Sequence, residues 1–261
     1  MSPRNMLTTT VGDELRLATN FKSRVFGIAF KDRGGILPAG HSANAAYWFD
    51  DSTGNWITST YYMAHLPQWV NRFNAYRKID SMMKNDWNLL YDISVYDQST
   101  ADANEYEKPF RHEKQATFPH LYKDQIGRNY YAVRESPYGN TLTLDFAKAM
   151  LESERLGKTG QTDMLCISLS SPDFIGHKVG THSLEIQDTY LRLDKDIESF
   201  LMYLDKTIGA GKYLFFLSAD HGAPQPPAFM KANKLPAGSL NKSEVKKSLN
   251  AHCLQKFGVN G

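Results

Sequence analysis

Three short stretches of the chain are apolar at nearly every position and stop abruptly at charged or turn residues. "VFGIAF" at 25–30 is closed by Lys31-Asp32-Arg33 and a glycine pair, "MLCISL" at 164–169 by Ser-Ser-Pro, and "YLFFL" at 213–217 by "SADHG". Continuous apolar runs bounded by turn signals suit strands covered on both faces. Between the last two runs, Tyr190, Leu193, Ile197, Leu204 and Ile208 recur at three- and four-residue spacing, and Asp188, Arg192, Lys195, Glu198 and Asp205 take the other face. That period predicts a helix over 184–208, with Ser183 as N-cap and Gly209 at its end. Strand, long helix and strand form a βαβ unit, which requires a parallel sheet.

A second helix is predicted over 142–156. A short amphipathic one is predicted over 11–19, with Leu15, Leu17 and Ala18 inward and Asp13, Glu14 and Arg16 outward. The middle of the chain has another character. "AYWFDDSTGNWITSTYY" reads as a hairpin turning at 51–55, the following "LPQWVNRFNAYRKIDSMMKN" as one or two helices, and the rest as irregular sequence. From Pro224 the chain runs "PQPP" and then a lysine-rich helix near 243–256. The predicted organisation is therefore residues 1–44 as the first part of an α/β core, 45–140 as an insertion or lid, 141–235 as the second part of the core and 236–261 as a basic tail. The fold class is α/β: a parallel sheet with helices on both faces, and a mixed α+β insertion.

Composition narrows the function more than the fold. The 261 residues are 41% hydrophobic and 22% charged with net charge +2, so there is no electrostatic case for nucleic acid. No apolar run approaches the roughly 20 residues of a membrane span, and the N-terminus carries no apolar signal segment. Two cysteines are too few for a disulfide framework. Cys166 reads as a small hydrophobe within its strand and Cys253 lies in the basic stretch, which leaves the redox compartment open.

Chemistry concentrates at the three strand ends, where α/β sheets gather their sites. Lys31 and Arg33 follow the first run, Asp173 and His177 the second, Asp220 and His221 the third. Each pair alone reads more readily as solvated charge, a helix cap or a satisfied turn. Together they converge on one design. Pro172 suits the start of a helix with Ser171 as its cap, so Asp173 and His177, four apart, share a helical face and can reach one ion. Gly222 lets the chain turn so that Asp220 and His221 face the same place. Two oxygens and two nitrogens are the ligand chemistry of zinc rather than of magnesium or calcium. Lys31 and Arg33, alternating with Asp32 in an extended strand end, point the same way and suit a phosphoryl group.

At these residues the sequence resembles the alkaline phosphatase superfamily, in the branch shared by type I phosphodiesterase/nucleotide pyrophosphatases and phosphate-irrepressible bacterial alkaline phosphatases. "FKDRGGILPAGHSANAAYWFD", "SSPDFIGHKVG" and "FLSADHG" carry the likeness in the family's order. The resemblance implies an alkaline phosphatase-like core and two zinc ions, one held by Asp173 and His177 and the other by Asp220 and His221. Lys31 and Arg33 would contact the phosphoryl group, and the insertion would cover the site. It further implies a small phosphate-ester substrate, a covalent phospho-enzyme and an exported, periplasmic parent protein.

Family members also use an Asp ligand and a Thr or Ser nucleophile from strands preceding this region, an Asn on the phosphate and a later His ligand. None of these is found. The threonines at 8–10 precede a helix and lack a Thr-x-Pro setting, and His252 sits in the lysine-rich stretch. His41 and His182, near the motifs, read as structural or supporting groups, and His65, His112 and His120 as surface residues of the insertion. The chain therefore reads as an interior fragment, inactive alone, with exposed sheet edge and apolar surface through which copies could associate. The alternatives are a phosphodiesterase or nucleotide pyrophosphatase on the same scaffold, and a non-catalytic scaffold or binding module.

Overall fold

The computed structural model describes residues 1–259 and divides into two compact units, residues 1–222 and residues from Ala223 onward. In the first unit the elements run α1 (Val11–Ala18), β1 (Val25–Ala29), α2 (Asp32–Ala39), β2 (Ala45–Asp50), β3 (Asn55–Ile57), α3 (Gln68–Ala75), α4 (Lys78–Met83), α5 (Tyr138–Ser153), β4 (Met164–Ser168), α6 (Ser171–Val179) and α7 (Leu184–Leu204). The sheet has the order β3-β2-β1-β4, with β1 parallel to both β2 and β4 and β3 antiparallel to β2.

Side-chain alternation assigns the two faces. Phe26, Ile28 and Phe30, with Tyr47 and Phe49 of β2, enter the main core, whereas Ala46 and Trp48 face Ile36 of α2. The main core is built around Phe146 of α5, which is fully buried. It stacks on Trp56 at 4.4 Å and meets Tyr47 edge-on at 5.5 Å. Each such ring pair is worth about 0.5–1.5 kcal/mol beyond the area it buries.

The glycines of β1 and α2 set how closely this βαβ unit packs. A Cβ on Gly27 would lie 1.9 Å from the carbonyl oxygen of Gly35, and one on Gly34 would lie 2.9 Å from Ser168 Oγ. Only glycine lets the first turn of α2 lie directly on β1 and beside the end of β4.

Several expectations are corrected. The predicted hairpin exists, but β2 hydrogen-bonds to β1 and belongs to the central sheet rather than to a cover. The anticipated strand at 213–217 does not form: Leu214, Phe216 and Leu217 are 88%, 73% and 67% exposed. An apolar run has strand propensity, but without a neighbour its backbone groups stay with solvent. The realised βαβ unit is instead β1–α2–β2.

α1 is rotated from its predicted face. Asp13 is buried and Leu17 is 54% exposed, because the Asp13 carboxylate accepts hydrogen bonds from the backbone of Thr10, His41 and Ser42. Burial alone would raise the Asp13 pKa, but these bonds and the Ser42 hydroxyl outweigh it and lower it to about 2. In α7, Ser183 caps as expected, accepting from Ile186 N at 3.1 Å, and the helix passes into a π turn at Asp205–Gly209. Its faces differ, however. Asp188 is fully buried, taking hydrogen bonds from Trp87 Nε1 at 2.6 Å and Leu90 N at 2.7 Å, while Tyr190 is 57% exposed.

His120 and His112, assigned to the surface by sequence, are interior. His120 is fully buried between Glu113, 2.8 Å from Nδ1, and Glu185 of α7, 3.2 Å from Nε2. Trp87, Phe110 and Phe118 enclose its ring. Burial lowers its pKa, but the hydrogen bonds and charges of the two carboxylates prevail and raise it to about 9. The His112 side chain is 2% exposed.

In the second unit, α8 (Pro227–Ala232) and α9 (Lys242–Phe257) bury no residue. Asn241 caps α9 through the N–H groups of Ser243 and Glu244, and Gly258 ends it at φ 68°. This second compact unit begins at Ala223.

Candidate active site

Two strand ends meet at the site. β1 delivers Lys31, the extended residue that precedes α2, and β4 delivers α6. Ser170, rather than Ser171, occupies the N-cap of α6, Pro172 stands in its first turn, and Asp173 follows. Ser171 is buried against Gly139 of α5, where a Cβ would lie 2.3 Å from its hydroxyl oxygen. This packing fixes the start of α6.

Asp173 is the centre of the arrangement. Its Oδ2 pairs with the Lys31 ammonium, and its Oδ1 lies 3.3 Å from His177 Nε2 and 3.9 Å from His221 Nε2. The 173/177 pair shares one helical face, as four-residue spacing requires. His221 comes from the extended segment after 213–217, and its Nδ1 lies 2.9 Å from the Gly222 carbonyl oxygen. That hydrogen bond first, and the charges of Asp220 and Asp173 after it, raise the His221 pKa, with Lys31 opposing. Asp220 faces solvent, its side chain 93% exposed and its Oδ2 3.8 Å from His221 Nε2.

The structure thus brings Lys31, Asp173, His177 and His221 together, and leaves Asp220 at the margin. Arg33 departs from its predicted geometry. It lies within the first turn of α2 and is exposed, because the close Gly27–Gly35 approach starts the helix at Asp32 and ends the extended backbone at Lys31.

The donor set has the chemistry of a zinc site: a carboxylate oxygen flanked by two imidazole nitrogens. Among the described residues, no group of three or more His, Cys, Asp or Glu side chains converges closely enough to hold an ion. The Lys31 ammonium supplies the positive charge that Asp173 faces.

Sequence reasoning did not single out Phe174, whose ring lies 4.7 Å from Lys31 Nζ, nor Arg134, which lies 5.3 Å from the centre of the same ring. The available signal was an aromatic residue directly after the candidate ligand in "SPDFIGH". Cys166 and Cys253 are both free, and burial raises the Cys166 pKa to about 11, which leaves it an unreactive thiol. No helix among the described residues is long and apolar enough to cross a membrane.

A profile of the family described as type I phosphodiesterase / nucleotide pyrophosphatase matches residues 9–237. Alkaline phosphatase PhoV of Synechococcus elongatus is 56% identical over 92% of this chain and 44% of its own length. A Myroides odoratus protein named calcium-transporting ATPase is 54% identical over 99% of this chain and 48% of its own. The crystal structure of alkaline phosphatase PafA superposes with a TM-score of 0.94 at 46% identity, over 99% of this chain and 49% of that one. A second PafA structure, with a TM-score of 0.91, is of a variant in which a threonine, an asparagine, and a lysine and an arginine two positions apart are replaced. The chain spans about half the length of the curated relatives it matches.

Proposed function

The chain belongs to the type I phosphodiesterase / nucleotide pyrophosphatase family, and on that premise we propose that it is part of a two-zinc phosphomonoesterase. The observation that carries this reading is the convergence of Lys31, Asp173, His177 and His221 from two strand ends and one extended segment. Asp173 and His177 would hold one zinc, and Asp220 and His221 the other. Zinc, when bound, supplies Lewis-acid polarisation of the phosphoryl oxygens and activation of the attacking oxygen.

Lys31, which pairs with Asp173, would bind a non-bridging phosphoryl oxygen as a point charge were that carboxylate to serve as a metal ligand. Arg33, exposed at the start of α2, adds the fork that can hold two oxygens at once. Their spacing is that of the lysine and arginine replaced in the PafA variant. No residue of this chain has the setting of the nucleophile, a Thr or Ser that forms a covalent phospho-enzyme, and this reading assigns it to another part of the parent protein. On this reading the chain alone is inactive, and the parent is an exported enzyme acting on small phosphate esters.

A diesterase on the same scaffold is the second reading, favoured by the family's own description. Two cations suit a dianionic monoester better than a monoanionic diester. The test is a chimera in which this chain replaces the matching span of PhoV, assayed on 4-nitrophenyl phosphate and on its methyl diester. Faster turnover of the monoester, with Lys31→Ala lowering that rate about 100-fold, is expected on the scale of one lost charge-stabilising donor. Faster turnover of the diester would establish the second reading. Elemental analysis should find zinc in the dialysed chimera and less of it in its Asp173→Ala/Asp220→Ala variant.

A further inference from the structure

Lys31, Phe174, Tyr131 and Arg111 form a row that leads away from the Asp173 carboxylate. Lys31 Nζ lies 4.7 Å from the centre of the Phe174 ring. Phe174 meets Tyr131 edge-on at 5.8 Å, and the Arg111 guanidinium lies 3.9 Å over Tyr131. Arg134 lies beside the two rings, 5.3 Å from Phe174 and 5.8 Å from Tyr131.

The charges along this row are not equally committed. Lys31 is paired with Asp173, and Glu135 with Lys178 at 3.7 Å. Arg134 donates to Asp51 at 2.6 Å and to the Phe49 carbonyl at 3.2 Å. Arg111 is exposed and engages Glu135 only through its backbone N–H, at 3.1 Å. Its guanidinium makes no hydrogen bond or ion pair among the described residues. A guanidinium laid flat on a ring keeps its N–H donors directed outward, and part of the ordering needed to bind an anion is already done.

We propose that this row is a leaving-group subsite: Phe174 and Tyr131 contact an aromatic leaving group, and Arg111 binds an anionic oxygen group, carboxylate or phosphate, at its far end. The proposal rests on the reading that Lys31 marks the phosphoryl end. It makes the preferred substrate class aromatic phosphate monoesters that carry a second anion.

The test is isothermal titration of the chain, in buffer that supplies saturating zinc, with inorganic phosphate, phenyl phosphate, 4-carboxyphenyl phosphate and 1,4-phenylene bisphosphate. The two esters with a second anion should bind about fivefold more tightly than phenyl phosphate, the scale of one exposed charge-assisted contact. The difference between those two esters tells carboxylate from phosphate preference. Arg111→Gln should remove the advantage and leave phenyl phosphate and inorganic phosphate unchanged, whereas Lys31→Ala should weaken all four. Equal affinity for all three esters, or Arg111→Gln weakening them alike, would overturn the subsite and leave the phosphoryl reading standing. Failure of all four ligands to bind would overturn both.

Discussion

Two segments of this chain share one sequence pattern and meet different fates. "VFGIAF" runs into Lys31, and "YLFFLS" runs into Asp220 and His221. The first is β1, hydrogen-bonded on both sides, with all five of its residues buried and its polar end fixed against α6. The second is exposed from Leu214 onward, and its Asp220 projects into solvent. The difference lies in neighbours rather than in residue type. A strand's backbone groups need partners, and β1 has β2 and β4, whereas 213–217 is paired with no strand among the described residues. A functional side chain is held only as firmly as the element that carries it.

Amide hydrogen exchange tests this contrast with the largest expected effect. Amides of β1 should exchange through near-global opening and those of 214–218 through local fluctuation, a separation of roughly a thousandfold or more. Comparable protection in the two segments would mean that 213–217 is paired in solution, and the contrast would fail. Next in size is Gly27→Ala, which drives a methyl group into the Gly35 backbone. A loss of about 3 kcal/mol is expected from overpacking, read as a lowered denaturant midpoint. Leu214→Ala, at an 88% exposed position, should change stability by no more than about 0.5 kcal/mol.

A further prediction concerns how the middle of the chain is tied to α7. His120 has a pKa raised above its unfolded value, so its stabilisation is complete below about pH 6.5 and is lost as pH rises through about 9. Its position between Glu113 and Glu185 suggests roughly 2–3 kcal/mol across that window. Glu107, whose pKa is raised to about 8 by burial and then by the charge of Glu185, acts in the same direction, because losing its proton disfavours the folded state. Urea unfolding at pH 6.5 and pH 9.5 should show the decline, and His120→Gln should flatten it. An unchanged slope in the variant would remove His120 from the account. A smaller pH effect than that of His120 is expected at Asp13, whose lowered pKa gives stability that is present above about pH 4 and lost as pH falls through about 2. Asp13→Asn should reduce stability at pH 7 by about 1–2 kcal/mol while matching the unmodified chain more closely at pH 2.

The sequence made the outline of the site legible because strand-end chemistry is local. The fall from apolar run to Lys31, and the four-residue step from Asp173 to His177, are set by backbone geometry that any sheet and helix share. The row from Phe174 through Tyr131 to Arg111 was not legible. Its members are separated by long stretches of sequence, and only the packing of the 93–135 region against α6 juxtaposes them. Buried charges were misread for a related reason. Asp13, Asp188 and His120 look like surface residues by type, and become interior because partners distant in sequence satisfy them, donors for the two aspartates and the Glu185 carboxylate for His120.

By itself, then, the sequence determined the α/β class, the cap of α7, the turn between β2 and β3, and which residue types could meet at the candidate site. Tertiary structure decided which apolar runs became strands, which charges were buried, and which cations stayed available. Periodicity and turn chemistry are encoded within a few residues, whereas strand pairing and charge neutralisation depend on a partner that the chain must bring from elsewhere.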